Sequence, residues 1–336
     1  MRVGIVIAAY NAASWIGDAI ASVIAQTHRD WILVVVDDGS ADGTADVVGG
    51  FADPRIRLVR QANAGVSAAR NRGVAALRAV DPALLFLDAD DWLAPDALAR
   101  LVAALEASPD AAAATGACAF DGSTGALRPP SGDILERLLV RNLFANGGHI
   151  LFRSAAVQAA GGFRPGLAYG EDWEFCIRIA LLGPVVVTPG PKPLLFVRQH
   201  PEGAYQRLAC DPAAFVPCMD AIFDNPALLS RFGAHRLAAI RRGTEAENNW
   251  IIGRELIRHG RQAEGRAWLR CSVCAAPTPK RTVLLAVAHA LPLLPAALRG
   301  PFRPYRLPPQ TTLCSSDKAD VHRPGDRPGL PRNAKP

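Results

Sequence analysis

The 336-residue sequence predicts an α/β fold: a mainly parallel sheet flanked by helices, then a small helical C-terminal region and a disordered tail. Three features predict it. Short apolar runs alternate with stretches whose apolar residues recur at helical spacing. The runs are apolar at consecutive positions, as strands covered on both faces must be. Several of them end in polar, mostly acidic residues, and ligands of open parallel sheets collect beyond the carboxyl ends of the strands.

The first run, over 3–8, ends at Tyr10-Asn11. Ser14 then stands as a cap for a helix with Ile16, Ala19, Ile20, Val23 and Ile24 on one face. A second strand over 31–36 ends in Asp37-Asp38-Gly39-Ser40 and is followed by a helix carrying Ala45, Val48 and Phe51. A third strand covers 56–59, and a helix opens near Asn63 and runs to about Val80. The fourth strand, 83–87, drives into Asp88, Asp90 and Asp91, and Asp96 can cap the helix that restarts at Pro95. Beyond it, strands are expected over 111–120, 149–153, 185–187 and 194–197, with helices over 134–140 and from about 170. From about Phe215 the pattern is helical, over 237–240, 250–257 and 263–273. The apolar stretch 283–298 is broken by Pro292 and Pro295, and after Pro301 no apolar period remains. The expected divisions are a sheet domain at 1–205, a helical region at 206–300 and a disordered tail at 301–336.

Half of the residues are hydrophobic, which excludes a disordered chain, and no run of 18 apolar residues marks a membrane span. The N-terminus enters a strand without the apolar region and cleavage site of a secretory signal. Seven scattered cysteines form no disulfide framework, and Cys271 and Cys274 lie in a helical pattern without a second pair. The expected location is the cytoplasm. Residues 1–234 carry 19 basic and 24 acidic side chains, whereas residues 235–281 carry 10 and 4. Two readings of that basic third stand level. One is peripheral docking on the anionic inner face of the cell membrane; the other is an ordinary arginine-rich solvated face. Nucleic-acid binding is not expected, because the excess positive charge lies away from the acidic strand ends.

Three carboxylates at one strand end repel one another unless a cation or hydrogen-bond donors compensate. A single Asp-rich turn is usually only solvated. Here Tyr10-Asn11, Asp37-Asp38 and Asp88 to Asp91 converge on the same sheet edge, which raises that turn to a candidate site.

The segments Val6-Ile-Ala-Ala-Tyr10-Asn11, Gln26-Thr27, Asp37-Asp-Gly-Ser40, Asn63 to Gly73, Leu87-Asp-Ala-Asp-Asp91 and Gly170-Glu-Asp-Trp173 resemble the signatures of family 2 glycosyltransferases of the GT-A fold. They follow the family's order, and the resemblance covers roughly residues 1–205. It implies a UDP- or GDP-sugar donor, a glycan or lipid-linked acceptor and a divalent Mg or Mn ion. By resemblance, Ala9 and Tyr10 pack against the base, and Asp38 accepts a hydrogen bond from it. An Asx-turn onto Gly39-Ser40 is the bland role for Asp38. Arg70 is placed near Asp38 or the donor phosphates, or else pairs with the acidic edge; Asn71 and Gly73 look structural. Asp88 is implied to meet the ribose or a metal-bound water, Asp90 to ligate the metal, and His200 to lie near metal and diphosphate. Asp91 is expected as a cap or supporting acceptor. Asp172 matches the catalytic base, since a sugar hydroxyl is a poor nucleophile until its proton is taken. One base without a carboxylate nucleophile implies direct, inverting displacement. Glu171 is expected to support that loop. Trp173 offers either an acceptor platform or a helix anchor, and acidic residues at a helix start have the helix dipole as their bland explanation.

The Gln-x-x-Arg-Trp signature of processive synthases is absent, as are G-x-G-x-x-G after the first strand and G-x-x-x-x-G-K-[ST]. The expectation is therefore a non-processive transferase, and the resemblance to the family implies bacterial surface polysaccharide as what it builds. The rivals are a sugar-phosphate nucleotidyltransferase and a catalytically inactive nucleotide- or glycan-binding module.

Overall fold

The computed structural model describes residues 1–77, 82–121, 125–200, 203, 205, 208–291 and 300–302. The strands are β1 (Val3–Ala9), β2 (Trp31–Asp37), β3 (Ile56–Arg60), β4 (Ala83–Asp88), β5 (Trp92–Leu93), β6 (Ala113–Thr115), β7 (Cys118–Phe120), β8 (Ala126–Leu127), β9 (Ile150–Arg153), β10 (Val185–Val187) and β11 (Leu195–Val197). Seven of them form the main sheet in the order β10-β6-β9-β4-β1-β2-β3. All neighbours in it are parallel except β9, which runs antiparallel to both β4 and β6. A smaller sheet, β5-β11-β7-β8, packs beside the end of β4.

Alternation within the strands fills two cores. On one face, Ile5, Ile7, Leu33, Val35, Leu85 and Leu87 meet α1 (Ile16–Ile24) and α4 (Ala97–Glu106). On the other, Val6, Val34, Phe86 and Phe152 meet α3 (Val66–Ala76), α5 (Leu135–Val140) and α7 (Glu171–Leu182). Helices α2 (Thr44–Gly49) and α6 (Ser154–Ala160) complete the layers. A methyl group at Gly73 would lie 2.3 Å from Val6 Cγ1, so α3 approaches β1 more closely than any side chain would permit.

The helical region comprises α8 (Pro212–Phe223), α9 (Pro226–Arg258), α10 (Gln262–Ala275) and α11 (Pro279–Ala290). The separate helical stretches expected at 237–240 and 250–257 are one element, α9, interrupted at Gly233 where φ is +70°. The core cluster that holds Phe86, Phe152 and Phe175 also holds Cys218, Met219, Ile222, Phe223, Leu237 and Ile240. No helix among the described residues is long and apolar enough to cross a membrane. Of the arginines in this region, Arg236 pairs with Glu136, Arg241 with Asp220 and Glu245, Arg254 and Arg258 with Glu255, and Arg261 with Glu264.

Several local expectations are corrected. The single strand expected over 111–120 is two, β6 and β7, in different sheets; between them Gly116 passes where a Cβ would strike Leu194 and Thr188. Helix α3 ends at Ala76, and residues 78–80, expected within it, lie outside the described residues. So does all of the expected tail beyond Phe302. Neither Ser14 nor Asp96 caps a helix through its side chain. The start of α4 is instead served by Gln26, fully buried, whose Oε1 accepts from the Leu98 N–H (2.9 Å) while Nε2 donates to Ala94 O (2.7 Å) and Ser22 O (3.0 Å).

Candidate active site

The parallel register sets Ala9 beside Asp37 and Ala8 beside Asp88, so three strand ends deliver their polar residues to one edge. Asp88 closes β4. Arg70, almost fully buried on α3, donates to Asp88 Oδ1 (2.8 Å) and to Glu171 Oε1 (2.9 Å), and its guanidinium lies 5.0 Å above the Phe163 ring. Burial alone would weaken that cation's hold on its proton, but Asp88, Glu171 and Asp172 outweigh burial and raise its pKa. Arg70 therefore ties the end of β4 to the start of α7. It does not pair with Asp38, one of its expected neighbours, but with the acidic edge.

Helix α7 begins after Gly170, which takes φ +77°; a Cβ there would meet Cys218 Sγ at 2.6 Å. This left-handed residue turns the chain so that Glu171, Asp172 and Glu174 fill the first turn. Asp172 is half-buried, and its Oδ1 accepts from the Trp173 N–H at 2.7 Å. Burial first, then the charges of Glu171 and Asp88, push its pKa up to about 7 against the opposing pull of Arg70. A carboxyl so poised can accept a proton near neutral pH while one of its oxygens also serves a first-turn N–H. Trp173 provides no acceptor platform: it is buried, and its Nε1 donates to Leu138 O at 2.6 Å, anchoring α7 on α5.

Asp90 stands half-buried on the turn after β4, its Oδ2 2.8 Å from His200 Nε2. The His200 ring lies 5.5 Å from that of Trp15, and its Nδ1 is buried without a partner among the described residues. Asp91 is buried, accepting from Asn146 Nδ2 (2.5 Å) and the Arg198 N–H (2.9 Å), so its oxygens are engaged by protein donors. Burial and the charges of Asp90 and Asp88 raise its pKa well above the usual carboxylate range. Asp88 is raised likewise, by burial first, with Arg70 opposing. One oxygen from each of Asp88, Asp90 and Asp91 falls within 4.8 Å of the others. The set fits a hard divalent cation: carboxylate oxygens whose mutual repulsion it would relieve, and an adjacent imidazole with an unpaired nitrogen. Of the residues expected to hold it, Asp88 has Oδ1 bound by Arg70, and Asp90 Oδ2 and His200 Nε2 are bound to each other, so Asp88 Oδ2 and Asp90 Oδ1 are the oxygens left without a donor among the described residues.

Across the edge, Asp38 is buried and accepts from Gln61 Nε2 (2.8 Å), Ala64 N (2.9 Å) and Gly65 N (2.8 Å), which fixes the loop leading into α3. The side chain that holds Ser40 is instead that of its neighbour, since Ser40 N donates to Asp37 Oδ1 (3.0 Å). The Ala9 side chain is buried, and its carbonyl accepts from Asp38 N. Tyr10 is 54% exposed just beyond the end of β1.

Sequence reasoning missed Asn146, Gln61 and Arg198. Arg198 donates from Nε to Asp90 O (2.9 Å) and from NH2 to Asp18 Oδ2 (2.7 Å), with its guanidinium 4.7 Å from the Trp15 ring centre and 4.9 Å from that of Trp92. Its one signal was its place two residues before His200 at a strand end. Asn146 and Gln61 gave none.

Residues 4–159 match the family model described as glycosyl transferase family 2. Among curated relatives, the chain is 41% identical over 32% of its length to an uncharacterised glycosyltransferase of Nostoc. It is 43% identical over 31% of its length to the succinoglycan biosynthesis protein ExoO of Rhizobium meliloti. The match spans about a third of each relative, 34% and 29%. Solved structures resemble the chain more widely. The Staphylococcus aureus TarS 1–349 complex with UDP-GlcNAc aligns over 90% of both chains with a TM-score of 0.58 at 17% identity. The mannosyltransferase PcManGT of Pyrobaculum calidifontis, in complex with GDP-Man and Mn2+, aligns over 90% of this chain and 82% of its own, with a TM-score of 0.56 at 21% identity. At these identities the likeness is one of fold.

Proposed function

Because residues 4–159 are a glycosyl transferase family 2 domain, we propose that the chain transfers a sugar from a nucleotide-sugar donor to a hydroxyl of a glycan or lipid-linked acceptor. The transfer is metal-dependent, inverting and non-processive, and it serves bacterial surface polysaccharide synthesis. The observation that carries this reading is Asp172, held at the start of α7 with its pKa near 7 and joined through Glu171 and Arg70 to Asp88.

In this reading Asp172 takes the proton of the acceptor hydroxyl as the acceptor oxygen bonds to the anomeric carbon. The bond from that carbon to the diphosphate oxygen breaks, and its electron pair leaves with the nucleoside diphosphate. No second carboxylate is needed as a nucleophile, which is why the configuration inverts. A divalent ion bound by Asp90, Asp88 and His200 would supply the positive charge that the departing diphosphate requires. Arg70 orients both Asp88 and Glu171, Asp38 shapes the loop that meets the base, and Tyr10 offers its face to that base. Peripheral contact with an anionic membrane would fall to Arg242, Arg266 and Arg270; the remaining arginines named above are already paired with carboxylates.

Replacing the base separates chemistry from binding. Asp172→Asn should lower transfer by about 10²–10⁴-fold while leaving donor affinity within a few-fold. Asp90→Ala should weaken donor and Mn or Mg binding together. Transfer assays with a panel of nucleotide sugars, alongside donor titrations, check both. Full transfer by Asp172→Asn would remove Asp172 from the mechanism.

A further inference from the structure

A cavity of about 440 Å³ lies between α8, α9 and α10. It is within the size range of small-molecule sites, about 300–1,000 Å³. One wall is a stripe of α9 in which Arg241, Glu245, Asn248 and Ile252 recur at helical spacing and so share a face. The opposite walls are aromatic: Phe215 from α8 and Trp268 from α10.

Asn248 is the unusual member. The residue is only 7% exposed, no hydrogen bond joins its amide to a described residue, and that amide opens onto the cavity rather than being sealed in the core. An amide that opens onto a cavity in this way has two donors and an acceptor to offer an occupant. Asn249 adds a second amide to the lining, and the Arg241–Asp220 pair (3.1 Å) sets an ionic rim. Planar polar side chains beside aromatic faces match a saccharide, whose hydroxyls pair with amides and whose C–H faces lie flat on rings. An acyl chain would use the rings but leave Asn248 unsatisfied.

The cavity is also joined to the candidate active site. Phe215 lines it and touches Tyr169 (ring centroids 4.5 Å apart), and Tyr169 precedes Gly170, Glu171 and Asp172. On the same helix, Cys218 donates to Gly170 O at 3.2 Å. We propose that this cavity is a saccharide subsite that holds the acceptor glycan at units away from the reacting hydroxyl, with Asn248 its hydrogen-bonding centre and Phe215 and Trp268 its platforms. The proposal rests on the transferase reading, and it assigns the helical region a part in choosing the acceptor.

The test uses the full chain on a glycan array of bacterial surface oligosaccharides, followed by calorimetric titration of the strongest binder. Binding is expected in the wild type and in Asp90→Ala, which the donor site should not affect. Asn248→Leu should weaken it about tenfold, the loss of one or two hydrogen bonds to the ligand, and Trp268→Ala should weaken it further. In transfer assays Asn248→Leu should raise the acceptor KM about as much, with the donor KM changed less than twofold. Its Tm should stay near that of the wild type, because no hydrogen bond within the described residues is removed. The subsite is overturned if the array shows no binder, if Asn248→Leu binds as the wild type does, or if dansyl-undecanoate competes with the oligosaccharide for the cavity. Oligosaccharide binding that depends on Asn248, in a chain that uses no nucleotide sugar, would instead overturn the transferase reading and leave the subsite standing.

Discussion

Asp172 holds its proton through a range in which most carboxyls have lost theirs, and two measurable consequences follow. If it is the base, kcat/KM should rise with pH through about 7, and the limb should move to lower pH in Glu171→Gln. The direction is fixed because Glu171 raises the Asp172 pKa, and removing its charge also leaves more of Arg70 to stabilise the ionised form. A pH–rate profile of both proteins checks it. The second consequence concerns stability. A carboxyl whose folded pKa is raised binds more protons folded than unfolded, so its contribution declines as pH rises from about 4 to about 7. Asp172→Asn should thus match the wild type near pH 4 and exceed it by about 1–2 kcal/mol at pH 8, a difference that denaturant titration at both pH values can read. Residues such as Asp88, Asp90 and Asp172 were legible in the sequence because each sits where a strand ends or a helix begins. Partners were not. Asp38 is bound by Gln61, Ala64 and Gly65, and Asp91 by Asn146, across separations that no local pattern encodes.

At the level of elements, the parallel strands could be read from their length and unbroken apolarity, and the helices from their period. Two cases escaped. Strand β9 has only four residues, too few for its antiparallel direction to leave a mark. The division of 111–120 into β6 and β7 depends on Gly116, whose need to be small is set by Leu194 and Thr188 far along the chain. Capping shows the same limit: local candidates Ser14 and Asp96 were passed over, and Gln26, 72 positions from Leu98, serves α4. That bond gives a prediction. Gln26→Leu would strand the Leu98 N–H and the Ala94 carbonyl in a dry interior and should cost about 2–4 kcal/mol by denaturant midpoint.

For the whole molecule, the division expected near residue 205 separates elements that share a core. Cys218, Met219, Ile222 and Phe223 of α8 pack in the cluster built around Phe86, Phe152 and Phe175. A chain ended at 205 should therefore lose cooperative melting and bind ANS, whereas one ended at 258 should retain a cooperative transition; circular dichroism melts compare them. The sequence marked the helical region by its charge and period, but gave no sign that α8 belongs to the sheet's packing, because contact between distant apolar faces has no local signature.

The grip of Arg198 on the aspartate turn has a meaning for the order of assembly. During synthesis Asp18, Asp90 and Asp91 are made long before Arg198, which donates to all three segments at separations of 180, 108 and 107 residues. Until then the turn's carboxylates have neither that arginine nor His200 beside them, and the residues matched by the family model, 4–159, are already complete. Most strands of the main sheet are thus made before the aspartate turn has its partners, and the turn is completed only after β11, the last strand of the smaller sheet, has been made. The corner's final geometry therefore waits on residues 198–200, just as the packing of the sheet's second face waits on α8.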